Sequence, residues 1–192
     1  MMKSWLTAVC LASVCLVSIP AFAAEPAAPA AAPAAAPAAP AAPVKVVPPE
    51  VGQPAVDFTV KNFDTGKDFV LSAELKKSPM VFIWLSSTCS TCLAEAKELK
   101  AAAAKGDVPK DTKVFIVNID FNDSNIAAYK TSYLPAEFTV LHDAKYVSPP
   151  KYGFRSTPST LVIDKKGNVA FKKTGYQSGS IDELIKAIKA AQ

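Results

Sequence analysis

Two cysteines separated by two residues are the part of this sequence best suited to chemistry. Cys89 and Cys92 lie in the segment LSSTCSTCLAEAKEL (85–99), where an apolar run gives way to a helix-like one. The free backbone N–H groups and the positive dipole end at a helix N-terminus stabilise a thiolate. Cys89, at that end, is therefore predicted to attack disulfides. Cys92, one turn later, is predicted to resolve the mixed disulfide that results.

Metal binding and a purely structural disulfide are the alternatives for this pair. A closed zinc site needs four Cys or His ligands, but beyond residue 23 the chain has only two cysteines and one histidine, His142. A copper site of Cys89, Cys92 and His142 stays open and would make the protein a copper-binding assembly factor. A structural disulfide would close too short a loop to restrict the unfolded chain much. Redox chemistry without a metal is the preferred interpretation.

The first 49 residues are predicted to be an export signal followed by a spacer. Residues 1–23 contain Lys3, an apolar run at 5–19 and the small-residue pattern AFA at 21–23, which is typical of a cleaved signal peptide. An uncleaved inner-membrane anchor is the alternative. Residues 24–49 are almost wholly Ala and Pro, which predicts a disordered, extended linker. The predicted location is therefore the periplasm.

The remaining residues, 50–192, predict one α/β domain. DFTVKN and DFVLS, around FDTGK, predict an N-terminal β-hairpin. MVFIWL (80–85) predicts a strand covered on both faces, and the helix-like run after it is expected to end at Gly106. Further strands and helices alternate, including a helix DSNIAAYKTSY opened by an Asp/Ser cap and a terminal amphipathic helix capped by Ser180. This order predicts a central mixed β-sheet flanked by helices, with its last two strands antiparallel.

Charge and aromatic content argue against nucleic-acid binding and cofactor binding. The formal net charge is only +4, and no stripe of Lys and Arg is interleaved with aromatics, so no nucleic-acid partner is expected. The aromatic residues of the strands are expected to pack in or beside the core, and no cofactor is predicted. Trp84 is the aromatic that we expect to line the active-site surface and contact substrate.

Three segments carry a family resemblance when taken together. They are PAVDFTVKNFDTGKDFVLS, MVFIWLSSTCSTCLAE and YGFRSTPSTLVIDKKGNV. In order and spacing they resemble the TlpA/ResA-type exported thioredoxin-like thiol–disulfide oxidoreductases of the redoxin, or AhpC/TSA-related, superfamily. The resemblance covers the whole of 50–192 and implies a thioredoxin-like fold.

The resemblance also implies roles for three further residues. Pro158 would be a cis-proline lying against the cysteine pair, and Thr157 would present its backbone to a substrate chain. Glu95 would be an acid that tunes the thiols and handles protons. The residues alone leave two other interpretations open, namely a trans peptide before Pro158 and a solvated Glu95 that pairs with Lys97 or Lys100.

The partners implied by the resemblance are proteins. The family favours a reductant that acts on protein thiols and disulfides, for example those of apocytochrome c, and that receives electrons from a membrane donor. This chain departs from the family at Thr88, where an aromatic residue is usual, and at Ser90-Thr91, where a Pro is usual. The reductant role is therefore a hypothesis, because direction depends on a reduction potential that the sequence does not fix.

A thiol peroxidase of the peroxiredoxin kind is the alternative enzyme, since it shares the fold and the early hairpin. Such enzymes need a Pro-x-x-x-Thr-x-x-Cys loop and a downstream arginine. Ser86 stands at the Thr position, but Phe82 occupies the Pro position. Arg155 is the only arginine in the chain. The peroxidase loop is therefore incomplete.

Overall fold

The computed structural model describes residues 47–192. The predicted signal peptide (1–23) and most of the predicted linker (24–49) lie outside these residues. Within 47–192, no helix is both long enough and apolar enough to cross a membrane.

Seven strands form one mixed sheet, which confirms the predicted α/β architecture. They are β1 (Thr59–Asn62), β2 (Asp68–Val70), β3 (Met80–Leu85), β4 (Lys113–Asn118), β5 (Thr139–His142), β6 (Ser159–Ile163) and β7 (Val169–Thr174). Their order across the sheet is β2-β1-β5-β4-β3-β6-β7. Strands β3, β4 and β5 run parallel, and the other neighbouring pairs are antiparallel. The predicted N-terminal hairpin is β1–β2, and the predicted antiparallel pair at the other end is β6–β7.

Helices connect the strands. They are α1 (Leu71–Glu74), α2 (Ser90–Lys105), α3 (Asp123–Tyr133) and α4 (Ser180–Ala190), with a 3₁₀ turn at Pro149–Tyr152. Helix α2 ends where the sequence predicted. Gly106 takes a left-handed conformation (φ 78°), which costs glycine no Cβ clash, and its N–H bonds to the carbonyls at the end of the helix.

Three local predictions were wrong. The second hairpin strand ends at Val70, and the residues after it form α1 instead. Helix α3 is capped by Asn122, whose side chain accepts the N–H of Ser124. Helix α4 has Gly179 at its cap position, and Ser180 is already helical. In α3 and α4 the cap lies one residue before the predicted one. In α4 the hydroxyl of Ser180 accepts a bond of 3.0 Å from the backbone N–H of Gln177 and caps no helical N–H group.

Strand β3 separates two layers of core. Successive side chains of a strand point to opposite faces. One set packs with α2, α3 and α4, and the other packs with the hairpin and the 3₁₀ turn. The first set is Val81, Ile83 and Leu85, and the second is Met80, Phe82 and Trp84. All six side chains are buried, so the segment at the end of β3 is anchored on a rigid central strand.

Candidate active site

The cysteine pair lies at the junction between β3 and α2. Cys89 occupies the N-cap position of α2, and Cys92 lies in its first turn, disulfide-bonded to Cys89 with Cα atoms 5.2 Å apart. The backbone N–H of Cys92 points at Cys89 Sγ, 3.2 Å away. Cys89 is partly exposed, whereas Cys92 is fully buried. A partner can therefore reach Cys89 Sγ, which the helix N-terminus stabilises as a thiolate after reduction.

The loop before β6 lies against this pair. The Thr157–Pro158 peptide bond is cis, as the resemblance implied. The carbonyl oxygen of Thr157 is 4.0 Å from Cys89 Sγ. Strand β6 runs antiparallel to β3 and pairs Ser159 with Trp84, so its start lies beside the end of β3. This register brings Thr157 and Pro158 to the cysteines.

Glu95, one turn after Cys92 on α2, is buried rather than solvated. Its side chain is only 4% exposed, and its Oε1 accepts a hydrogen bond of 3.0 Å from Thr160 Oγ1. Within the described residues its Oε2 is buried without a partner. Burial raises the pKa of Glu95 to about 7, although the bond from Thr160 opposes that rise. The interpretation of Glu95 as a surface partner of Lys97 or Lys100 was therefore wrong.

A second acid, Asp120, supports the loop before Cys89. Its Oδ1 accepts a bond of 2.6 Å from Ser86 Oγ, and its Oδ2 accepts one of 2.8 Å from the backbone N–H of Ser87. Partial burial alone would raise the pKa of Asp120, but the bonds from Ser86, Ser87 and Asn118 outweigh it and lower the pKa. The sequence pattern alone did not reveal Asp120. It directly follows the strand-like run KVFIVNI, and the carboxyl ends of parallel β3 and β4 meet at one edge.

Tyr129 of α3 is a further residue that the sequence did not reveal. Its hydroxyl donates a hydrogen bond of 3.1 Å to the carbonyl oxygen of Cys92. Burial raises the pKa of Tyr129 above its ordinary value, so the phenol stays protonated and remains a donor. This bond ties the first turn of α2 to α3.

The residues of the alternative copper site do not come together. His142 Nε2 lies 2.7 Å from the backbone oxygen of Asp120, and His142 Nδ1 lies 3.6 Å from a carboxylate oxygen of Asp123. Between residues 47 and 192, no three His, Cys, Asp or Glu side chains are grouped to hold a metal ion. His142 is a polar residue at the end of β5, and the Cys89–Cys92–His142 proposal is not supported.

Trp84 is not at the active-site surface, so that prediction was wrong. The side chain is fully buried, and its Nε1–H donates a bond of 2.8 Å to Ser148 Oγ. Its ring packs near those of Tyr152 and Phe154. The alternation of β3 places it on the face opposite α2. Phe82, which stands where a peroxidase needs its proline, is buried in the same layer.

Comparisons with known proteins identify similar sequences and structures. The model of the AhpC/TSA family matches residues 51–172. No curated protein gives a significant match.

Three solved structures illustrate the similarity. A Chlorobium tepidum protein described as a thiol:disulfide interchange protein, DsbE, is 26% identical with a TM-score of 0.61, over 74% of this chain and 98% of its own. MTB DsbF is 25% identical with a TM-score of 0.60, over 70% of this chain and 95% of its own. A peroxiredoxin-like protein from Aquifex aeolicus is 21% identical with a TM-score of 0.60, over 77% of this chain and 91% of its own, and shows the fold alone. The predicted thioredoxin-like fold is confirmed.

Proposed function

The chain belongs to the AhpC/TSA family as a thioredoxin-like thiol–disulfide oxidoreductase, and from that premise we propose that it works in the periplasm as a reductant of disulfides in other exported proteins. The observation that carries the proposed exchange chemistry is the asymmetry of the pair, since Cys89 is partly exposed at a helix N-terminus and Cys92 is fully buried; the direction as a reductant is taken from the family resemblance. Such a pair attacks with one sulfur and resolves with the other.

The proposed reaction is a two-electron exchange. In the reduced protein the Cys89 thiolate attacks a substrate disulfide, forms a mixed disulfide and releases one substrate thiolate. The Cys92 thiolate then attacks Cys89 Sγ and releases the second substrate thiolate, which leaves the Cys89–Cys92 disulfide. The substrate gains two electrons and the protein loses them. A membrane electron donor is proposed to restore the dithiol.

Glu95 is proposed to accept the proton of the Cys92 thiol before the second step. It lies three residues after Cys92 and thus on the same side of α2. With its pKa raised to about 7 by burial, the carboxyl is partly ionised at neutral pH and can both take and return a proton. Its unpartnered Oε2 leaves one oxygen available for this transfer.

Thr157 and Pro158 are proposed to hold the substrate chain. The Thr157 carbonyl lies 4.0 Å from the attacking sulfur, which suits hydrogen bonding to an extended substrate beside its disulfide. Apocytochrome c is a candidate substrate on the family resemblance. The periplasmic location rests on the predicted signal peptide, and an exported protein whose N-terminus is Ala24 would support it.

Reduction of insulin disulfides tests the proposal. The reduced protein is expected to reduce insulin, Cys89→Ser to be inactive, and Cys92→Ser to accumulate a mixed disulfide with an insulin chain, visible on a non-reducing gel. Absence of insulin reduction by the wild-type protein, or equal activity in Cys89→Ser, would contradict it. Hydrogen-peroxide turnover that depends on Cys89 and exceeds insulin reduction would support the peroxidase instead.

A further inference from the structure

We infer that a groove beside the cis-proline loop, here called the flanking groove, binds the part of the substrate protein next to its disulfide and selects an acidic side chain there. The inference rests on the proposed function and names a specificity for it. The groove has a volume of about 440 Å³. Its lining residues are Pro48, Tyr146, Pro150, Gly153, Phe154 and Arg155.

The flanking groove is lined by residues that lie close along the chain to the site of chemistry. Arg155 precedes Thr157 by two residues, so their Cα atoms are at most ~7.6 Å apart. Thr157 in turn has its carbonyl oxygen 4.0 Å from Cys89 Sγ. An extended chain advances roughly 3.3 Å per residue. A side chain a few residues from the attacked cysteine can therefore reach Arg155 while the substrate lies on Thr157.

The charge of the flanking groove favours an acidic occupant. Arg155 is exposed, and among residues 47–192 it has no salt-bridge partner. Lys145, which precedes Tyr146, is also exposed. A guanidinium group binds a carboxylate through two parallel hydrogen bonds. The proline and aromatic rings around it offer an apolar surface for the neighbouring residues of an extended substrate.

Tyr146 holds a fixed position in the wall of the flanking groove. It has a φ of 53°, an uncommon conformation for a bulky residue. Its backbone N–H bonds to the carbonyl of Asp143 at 2.9 Å, and the Asp143 carboxylate bonds the N–H groups of Val147 and Ser148, which fixes this turn. Its hydroxyl oxygen is buried with no partner in the described part of the chain. Tyr146 is therefore a fixed part of the groove wall, and its buried hydroxyl is not accessible to an occupant.

The test uses synthetic peptides with one cysteine, each supplied as its symmetrical disulfide dimer. In the set, a single Glu or Lys is moved through three positions on each side of the cysteine. The rate at which the reduced protein converts each dimer to thiols is measured by trapping the free peptide thiols at set times. At the best position the Glu peptide is expected to react about fivefold faster than the Lys peptide, since attraction and repulsion at an exposed charge together amount to about 1 kcal/mol.

Variants then test whether the Glu/Lys preference is due to Arg155. Arg155→Glu is expected to invert the Glu/Lys preference, and Arg155→Met to abolish it. Lys105→Glu is the matched control, because it makes the same charge change at the far end of α2 and is expected to keep the preference. Tyr146→Phe is expected to leave the Glu/Lys ratio unchanged, because the Tyr146 hydroxyl is buried and does not contact an occupant.

The small neutral disulfide 4,4′-dithiodipyridine reports the reactivity of Cys89 itself, and each peptide rate is divided by the rate of the same variant with this disulfide. A Glu/Lys ratio that is the same in Arg155→Glu as in the wild type, at every position, would overturn the inference. If the wild-type protein reacts with dithiodipyridine but reduces none of the peptides, the proposed function itself fails. The two failures are therefore distinguishable.

Discussion

Two carboxylic acids flank the CxxC turn, and their pKa values are shifted in opposite directions. Glu95 lies on the helix side, is 4% exposed, accepts one hydrogen bond from a side chain and has a pKa raised by burial to about 7. Asp120 lies on the loop side, is less buried and accepts bonds from Ser86 and Ser87 that lower its pKa despite the burial.

The comparison shows what determines the direction of each pKa shift. It is the number of hydrogen-bond donors around the carboxyl group, rather than its closeness to the cysteines. A carboxylate that has several donors stays ionised, whereas a buried one with few donors holds its proton near neutral pH. Asp120 is therefore suited to fixing the loop that carries Cys89. Glu95 is suited to exchanging a proton with Cys92.

The largest expected effect is on the pH dependence of stability. The pKa of Glu95 is about 7 in the folded protein against an ordinary value of 4.5, so ionisation disfavours the folded state. The free energy of unfolding, wild type minus Glu95→Gln, is expected to be greatest below pH 4.5 and to fall by about 3 kcal/mol as the pH rises to 7. Urea denaturation of the oxidised proteins across this range measures it. If this difference in the free energy of unfolding did not change with pH, the pKa of Glu95 would not be raised and the contrast with Asp120 would be lost.

Glu95→Gln is next expected to slow the resolving step. Without a base near Cys92, release of substrate from the mixed disulfide should be about 100-fold slower at pH 7, at the lower end of general-base effects. Rapid chemical quench with an insulin-derived disulfide measures this lifetime. Asp120→Asn is the comparison variant and is expected to change it by less than about tenfold. Equal slowing in both variants would show that Glu95 has no special role in proton transfer.

Asp120→Asn is expected to lower stability in the opposite pH range. The pKa of Asp120 is lowered by its bonds, so its contribution is present above the unfolded value and is lost as the pH falls through the folded value. Loss of charge-assisted bonds is expected to cost about 2 kcal/mol at pH 7 and progressively less in acid. Chemical denaturation at several pH values checks this. A cost that grew in acid would have the wrong sign for a stabilised carboxylate.

Tyr129→Phe gives the smallest expected effect. It removes the bond from the hydroxyl to the Cys92 carbonyl and is expected to reduce the free energy of unfolding by about 1 kcal/mol. Tyr133→Phe, on the same helix, is the control and is expected to be nearly neutral. Denaturant titration measures the free energy of unfolding of both variants. Equal losses would mean that the Tyr129 bond does not stabilise the first turn of α2.

Much of the fold was accessible from local sequence patterns. The continuous apolar run of β3, the left-handed Gly106 at the end of α2 and the apolar face of α4 each follow from neighbours in the chain. The pairing of the CxxC turn with the loop at Pro158 was accessible only through the family resemblance, because nothing local joins residues so far apart.

The residues that were missed or misplaced depend on tertiary contacts. A strand covered on both faces has no polar side to show its orientation, so the sequence could not say that Trp84 points away from α2. Glu95 has the pattern of a surface helix residue, and only the approach of Thr160 from β6 shows its burial. The flanking groove joins Pro48 to residues near 150, a separation that no local pattern spans.

The reduction potential of the Cys89–Cys92 couple tests the central claim of a reductant most directly. The protein is equilibrated with dithiothreitol or glutathione buffers at pH 7, and free thiols are trapped and counted. The reductant role predicts a value near that of thioredoxin, about −270 mV. A value near −120 mV, typical of a strong periplasmic oxidant, would contradict it and make the protein a donor of disulfides.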